Sequence, residues 1–162
     1  MTTKSDFSAE EWKHLLQAPG AAGIYIMMSD PNFLVGNMKE ALAVSSSILN
    51  KGKEDNGELL TFLLAEFNDK EMVKQARLEY EKKDVASIKK IALDSLKQAA
   101  EILQDKTADE EAQEVKTWLY DVSVKAAEAA KEGGFLGFGG TRVSEKEKAA
   151  LQEIATVLNV TV

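Results

Sequence analysis

From Glu58 to Glu132 the chain contains no glycine. Through that stretch apolar residues recur every three or four positions, the spacing that lines one face of an α-helix. Leu59, Leu60, Phe62, Leu63, Leu64 and Phe67 form a segment too densely apolar for an exposed helix, and it is expected near the centre of the core. Asn68-Asp69 can cap a helix carrying Met72, Val73, Ala76 and Tyr80, and Asp84 can cap another carrying Ile88, Ile91, Leu96, Ala99 and Leu103. Thr107-x-x-Glu110 has the form of a capping box. It opens a helix with Val115, Trp118, Leu119, Val122 and Ala126 that ends at Gly133, a residue suited to a left-handed C-cap.

The flanks follow the same pattern. Ser8-x-x-Glu11 is a second capping box, with Phe7 placed to staple onto the first turn, and its helix is expected to stop at Pro19-Gly20. The apolar run from Ala21 to Met28 then predicts a short buried helix. Beyond Asp30-Pro31-Asn32 a helix carries Leu34, Met38, Leu42, Ile48 and Leu49 to Lys51-Gly52, and Ser144-x-x-Glu147 opens the last one through Leu158. With about seven helices and no alternating strand pattern, the expected fold is all-α. No linker divides residues 1–162, so one all-helical domain is expected.

Composition narrows the function. A chain of 162 residues can bury roughly 70% of its unfolded surface without staples. The absence of cysteine rules out disulfides, thiolate metal sites and cysteine nucleophiles, and suits a reducing cytoplasm, where the protein is expected. No signal pattern or bilayer-length apolar run is present. The net charge is −7. Only the middle of the chain, about residues 69–106, lacks an acidic excess, so nucleic acid is not an expected partner.

Five of the ten glycines crowd one loop, Gly133, Gly134, Gly137, Gly139 and Gly140, together with Phe135, Leu136 and Phe138. The loop lacks a Gly-Lys-Ser/Thr ending and a preceding strand, so neither common nucleotide-binding motif fits. Two readings remain for its apolar side chains. They plug the end of the bundle while the glycines take angles closed to other residues, or they are contact residues of a tip offered to a partner. A protein partner or self-association is the expected contact, rather than a peripheral membrane one.

His14 is the only histidine. Glu11-Trp-Lys-His14 has the Glu-x-x-His spacing of helical di-iron carboxylate proteins, but such a site takes two copies of that pair and this chain has one. Glu11 is already explained by its cap, and His14 is expected at a surface or boundary. Trp12 and Trp118 are expected to be core anchors. No catalytic residue is assigned.

The junction of the last two helices carries a wider pattern. Ala126-Ala-Glu-Ala-Ala-Lys-Glu132-Gly133, followed by Val143-Ser144-Glu-Lys-Glu147-Lys-Ala-Ala-Leu-Gln-Glu-Ile-Ala155, resembles the helix, acidic-Gly, hydroxyl-x-x-Glu, helix signature of tellurite-resistance B-like helical proteins. A fainter echo lies at Met28-Ser-Asp30-Pro and Glu40. The usual Asp-Gly is Glu132-Gly133 here, and ten residues separate it from Ser144. The resemblance implies an all-α fold and a divalent cation, Ca²⁺ or Mg²⁺, held by Asp30, Glu40, Glu132 and Glu147. Glu147 also has a reading as the capping-box glutamate. The sequence is thus expected to encode a non-enzymatic binding or scaffold module, stress-related by the resemblance, with divalent-metal handling as the alternative.

Overall fold

The computed structural model describes residues 2–29, 37–81, 84–131 and 143–161. A short 3₁₀ turn, Lys4–Asp6, precedes seven helices: α1 (Ala9–Met27), α2 (Asn37–Lys51), α3 (Glu58–Glu66), α4 (Lys70–Gln75), α5 (Val85–Lys106), α6 (Asp109–Lys131) and α7 (Glu145–Leu158). There is no strand among the described residues, and the all-α expectation holds. None of the described helices is long and apolar enough to cross a membrane.

Helix α1 is the hub, in contact with all six other helices. It is one continuous element of 19 residues and does not stop at Pro19-Gly20. The expectation of two helices weighed a local cost, the missing Pro19 N–H and the crowding of its ring against the preceding turn. What overrides that cost is the burial of most of the helix from Leu15 to Ile26. Leu15, Leu16, Ala18, Pro19, Ala21, Ala22, Gly23, Tyr25 and Ile26 are all buried, and a stretch this densely apolar is stable as a helix inside a core.

A single hydrophobic cluster gathers side chains from every helix, including Leu59, Leu60, Leu63, Leu96, Leu103, Leu119, Ile154 and Leu158. Of the α3 residues assigned to the core, Phe62 departs. It faces outward, 39% exposed, because it falls between the Leu59/Leu63 and Leu60/Leu64 pairs that turn inward. Helix α4 is also shorter than its apolar spacing predicts, ending before Tyr80. The chain beyond it is tied to α1 by buried Gln17, whose Nε2 donates to the Arg77 carbonyl at 3.0 Å.

The helix ends explain the turns. Ser8 accepts from the Glu11 N–H at 3.2 Å while Glu11 accepts from the Ser8 N–H at 2.7 Å. The Phe7 and Trp12 rings meet at 5.5 Å, forming the expected hydrophobic staple. Ser144 and Glu147 repeat the reciprocal pair, and Asp84 accepts from the Ser87 N–H at 2.9 Å. The Thr107-x-x-Glu110 box does not form. Thr107 instead closes α5, its hydroxyl donating to the Leu103 carbonyl at 2.8 Å, and α6 begins two residues later. Gly57, which has no side chain to cap α3, donates its N–H to Glu114 of α6 at 2.8 Å, so a carboxylate 57 residues away sits at the positive end of that helix.

Two glycines in α1 predict opposite mutational effects. A Cβ at Gly20 would meet nothing within 4 Å, whereas one at Gly23 would lie 2.5 Å from Val44 Cγ2, where α2 approaches α1. Gly20→Ala should raise stability by about 0.5–1 kcal/mol through helix propensity. Gly23→Ala should lower it by about 1 kcal/mol or more, because overpacking exceeds the propensity gain. In a thermal-denaturation double-mutant cycle, Val44→Ala should relieve part of the Gly23→Ala loss. Equal effects of the two glycine substitutions would contradict the close approach.

Candidate functional site

Helices α2 and α6 pack side by side. The outer end of their seam opens into a cleft of about 580 Å³. Its α2 wall is built from Ser46, Ser47, Asn50 and Lys51, with Glu54 just beyond the helix, and its α6 wall from Trp118, Asp121, Val124 and Lys125. These positions recur every three or four residues on both helices. They sit next to the inward stripe of Ile48 on α2 and of Val115, Leu119, Val122 and Ala126 on α6, and so line the rim of the seam.

The polar groups divide into paired and unpaired. Lys51 Nζ lies 2.8 Å from Glu54 Oε2, and Lys125 Nζ lies 3.0 Å from Glu128 Oε2. Asp121 stands between these two pairs with no ion-pair partner of its own among the described residues. Although it is exposed, surrounding protein removes part of the water from its carboxyl, holding its pKa above the ordinary aspartate value. Lys51 and Lys125 oppose that shift and Glu54 reinforces it. Trp118 is buried at 2% exposure, and its indole N–H has no hydrogen-bond partner among the described residues. A buried indole usually has one. The cleft therefore combines a partly desolvated acceptor with hydroxyl and amide groups along one wall, an arrangement that binds by hydrogen bonds rather than by apolar contact alone.

The residues singled out from the sequence lie elsewhere. Glu147 is in the first turn of α7, 3% exposed, and its Oε2 accepts the Ser144 N–H at 2.7 Å. Glu40 falls within α2. Asp30, Glu132 and the loop residues Phe135, Leu136 and Phe138 lie outside the described residues. Trp12 is a core anchor, as expected, at 3% exposure. His14 is a boundary residue on α1. Its spacing partner Glu11 is committed to the Ser8 cap and lies 3.4 Å from Lys106, and the Ser8 N–H is the main cause of its lowered pKa. Among the described residues, no three His, Asp or Glu side chains converge to hold a metal ion. Sequence reading passed over Asp121 and the α2 serines, since their common signal is only a polar position beside an apolar stripe.

No family model, curated protein or solved structure matches the chain.

Asp121 supplies a test of the electrostatics. A carboxyl whose folded pKa is raised penalises the folded state once it ionises. That penalty sets in above the unfolded value, near 3.8, and is complete above the folded one. Asp121→Asn should therefore melt at a higher temperature than the parent at pH 7, with the difference fading as pH falls below 3.8. An Asn variant that is less stable at neutral pH would show that the carboxylate is held by favourable contacts instead.

Proposed function

We propose that this protein is a helical binding module that takes a small polar ligand or an exposed polar segment of a protein partner in the α2/α6 cleft. The observation that carries this reading is the partly desolvated carboxyl of Asp121, without an ion-pair partner among the described residues, facing the Ser46, Ser47 and Asn50 wall of one preformed cleft whose floor includes buried Trp118. A carboxyl held above its ordinary pKa costs folding stability, and groups kept at such a cost cluster where proteins bind or react. The cleft is open and lies between two long helices that are fixed by the core, so binding requires no rearrangement of the fold. A lack of cysteine supports a cytoplasmic setting, and the resemblance at the α6/α7 junction supports a stress-related role for the module.

Amide and indole NMR signals can test this directly. In a screen of small polar fragments, saturable ligands should shift the Trp118 indole signal together with the amides of Ser47, Asn50 and Asp121. Asp121→Asn and Asn50→Ala should each weaken those ligands by roughly two- to tenfold, the scale of one hydrogen bond, without unfolding the protein. Ligands that saturate while leaving this set of signals unmoved would remove the cleft as the binding site.

A further inference from the structure

A second surface lies along the α1/α5 seam, and it shares no lining residue with the α2/α6 cleft. Two depressions of about 430 and 320 Å³ meet there, with His14 and Gln98 common to both, so they form one continuous groove. The groove is lined by six carboxylates, Glu10, Glu11, Glu79, Asp94, Glu101 and Asp105, against two ammonium groups, Lys13 and Lys106. Asp94, Gln98, Glu101 and Asp105 follow one face of α5 at helical spacing, and from Asp94 to Asp105 this face extends for roughly 16 Å.

Charge alone would be an ordinary solvated surface. Two further features mark the groove as a binding surface. Ser95 lines it, is 7% exposed, and its hydroxyl has no hydrogen-bond partner among the described residues. His14, at the junction of the two depressions, has a buried Nδ1 that is likewise unpartnered. Several of the carboxylates are free or loosely held. Glu10 and Asp105 have no ion-pair partner among the described residues, Glu79 is 3.9 Å from Lys13, and Glu101 is 3.9 Å from Lys97, whereas Asp94 is paired with Lys90 at 2.5 Å and Glu11 with Lys106 at 3.4 Å. Exposed pairs of that kind contribute little and exchange readily.

We propose that this groove binds a linear aliphatic polyamine. No three of the described carboxylate or histidine side chains converge on one point, so the negative charge is strung along the seam and suits an extended cation better than a single metal ion. A three- or four-carbon spacer holds successive ammonium groups roughly 5–6 Å apart, close to one helical turn of ~5.4 Å, which is the step from Glu101 to Asp105. The ammonium groups meet Glu101, Asp105 and Glu10 and compete with Lys90 for Asp94, passing over the wall that contains the unpartnered Ser95 hydroxyl and His14 Nδ1. The methylenes lie along half-buried Ile91 and Ile102.

Spermine and spermidine are the probes, titrated into the full chain by calorimetry and by NMR. His14 is the only histidine, so its imidazole gives a single reporter signal. Saturable one-to-one binding that shifts this signal and weakens with added salt is expected. The double variant Glu101→Gln, Asp105→Asn should weaken binding roughly five- to tenfold, the scale of two exposed ion contacts. A control variant of equal charge, Glu128→Gln with Glu145→Gln, should retain the parent affinity. Equal losses in the two variants would show diffuse attraction to an acidic protein and overturn the site. Absence of saturation at millimolar polyamine, or a Lys-rich peptide shifting the His14 signal where spermine does not, would overturn the ligand class.

Discussion

The packing of all six other helices against α1 is the constraint on which the rest of the structure depends. Between Leu15 and Ile26 this helix presents small side chains, Ala18, Ala21, Ala22 and Gly23, alternating with large ones, and every other helix leans on it. Small residues set how closely neighbours approach. At Gly23 the approach is so close that Val44 of α2 occupies the space a Cβ would need. That contact places α2, and α2 together with α6 forms the cleft. The candidate site thus sits where α2, drawn close to α1 at Gly23, packs along α6.

The polar contacts have a different task from the packing. They end helices and register them. Glu114 on α6 caps α3 through Gly57, Gln17 on α1 ties down the chain after α4, and the Lys116 ammonium on α6 donates to Gln104 on α5 at 3.1 Å. Tyr25 of α1 donates its hydroxyl to Glu153 of α7, with the Lys89 ammonium 4.7 Å from the centre of the same ring. Individually such bonds contribute about 1 kcal/mol. Each also fixes one rotational setting of a helix that greasy contact alone would leave degenerate, and a groove built from two helices depends on that setting.

What could be read from the sequence follows the range of the interaction. The Ser8 and Ser144 boxes, the Asp69 and Asp84 caps and the Phe7 staple were legible because donor and acceptor lie within five residues of each other. The Thr107 box had the same form and failed. Its hydroxyl had a competing acceptor one turn back, at Leu103, and α6 opened beyond it. Pro19 was misread for the complementary reason: its local cost is visible in sequence, and the six helices that outweigh it are not. The α3 cap by Glu114 leaves no local trace either, since Gly57 offers no side chain. Asp121 and Ser46 were unremarkable one by one, becoming a site only when α2 and α6 were laid together.

The two grooves carry opposite electrostatic problems, and their shapes follow from how each is relieved. In the α2/α6 cleft the difficulty is desolvation of one carboxylate, and the lysines that oppose it are already engaged with Glu54 and Glu128. A ligand there gains by giving Asp121 a donor that the protein withholds. Along α1/α5 the carboxylates are well solvated, and the difficulty is mutual repulsion, which at protein-surface dielectric falls slowly with distance and is eased by screening salt. Lys13, Lys90 and Lys106 ease it at Glu79, Asp94 and Glu11. In the middle of the groove, the ion pair that Glu101 makes among the described residues is the 3.9 Å one with Lys97. A molecule that carries its positive charges in a row supplies what this stretch lacks without bending either helix.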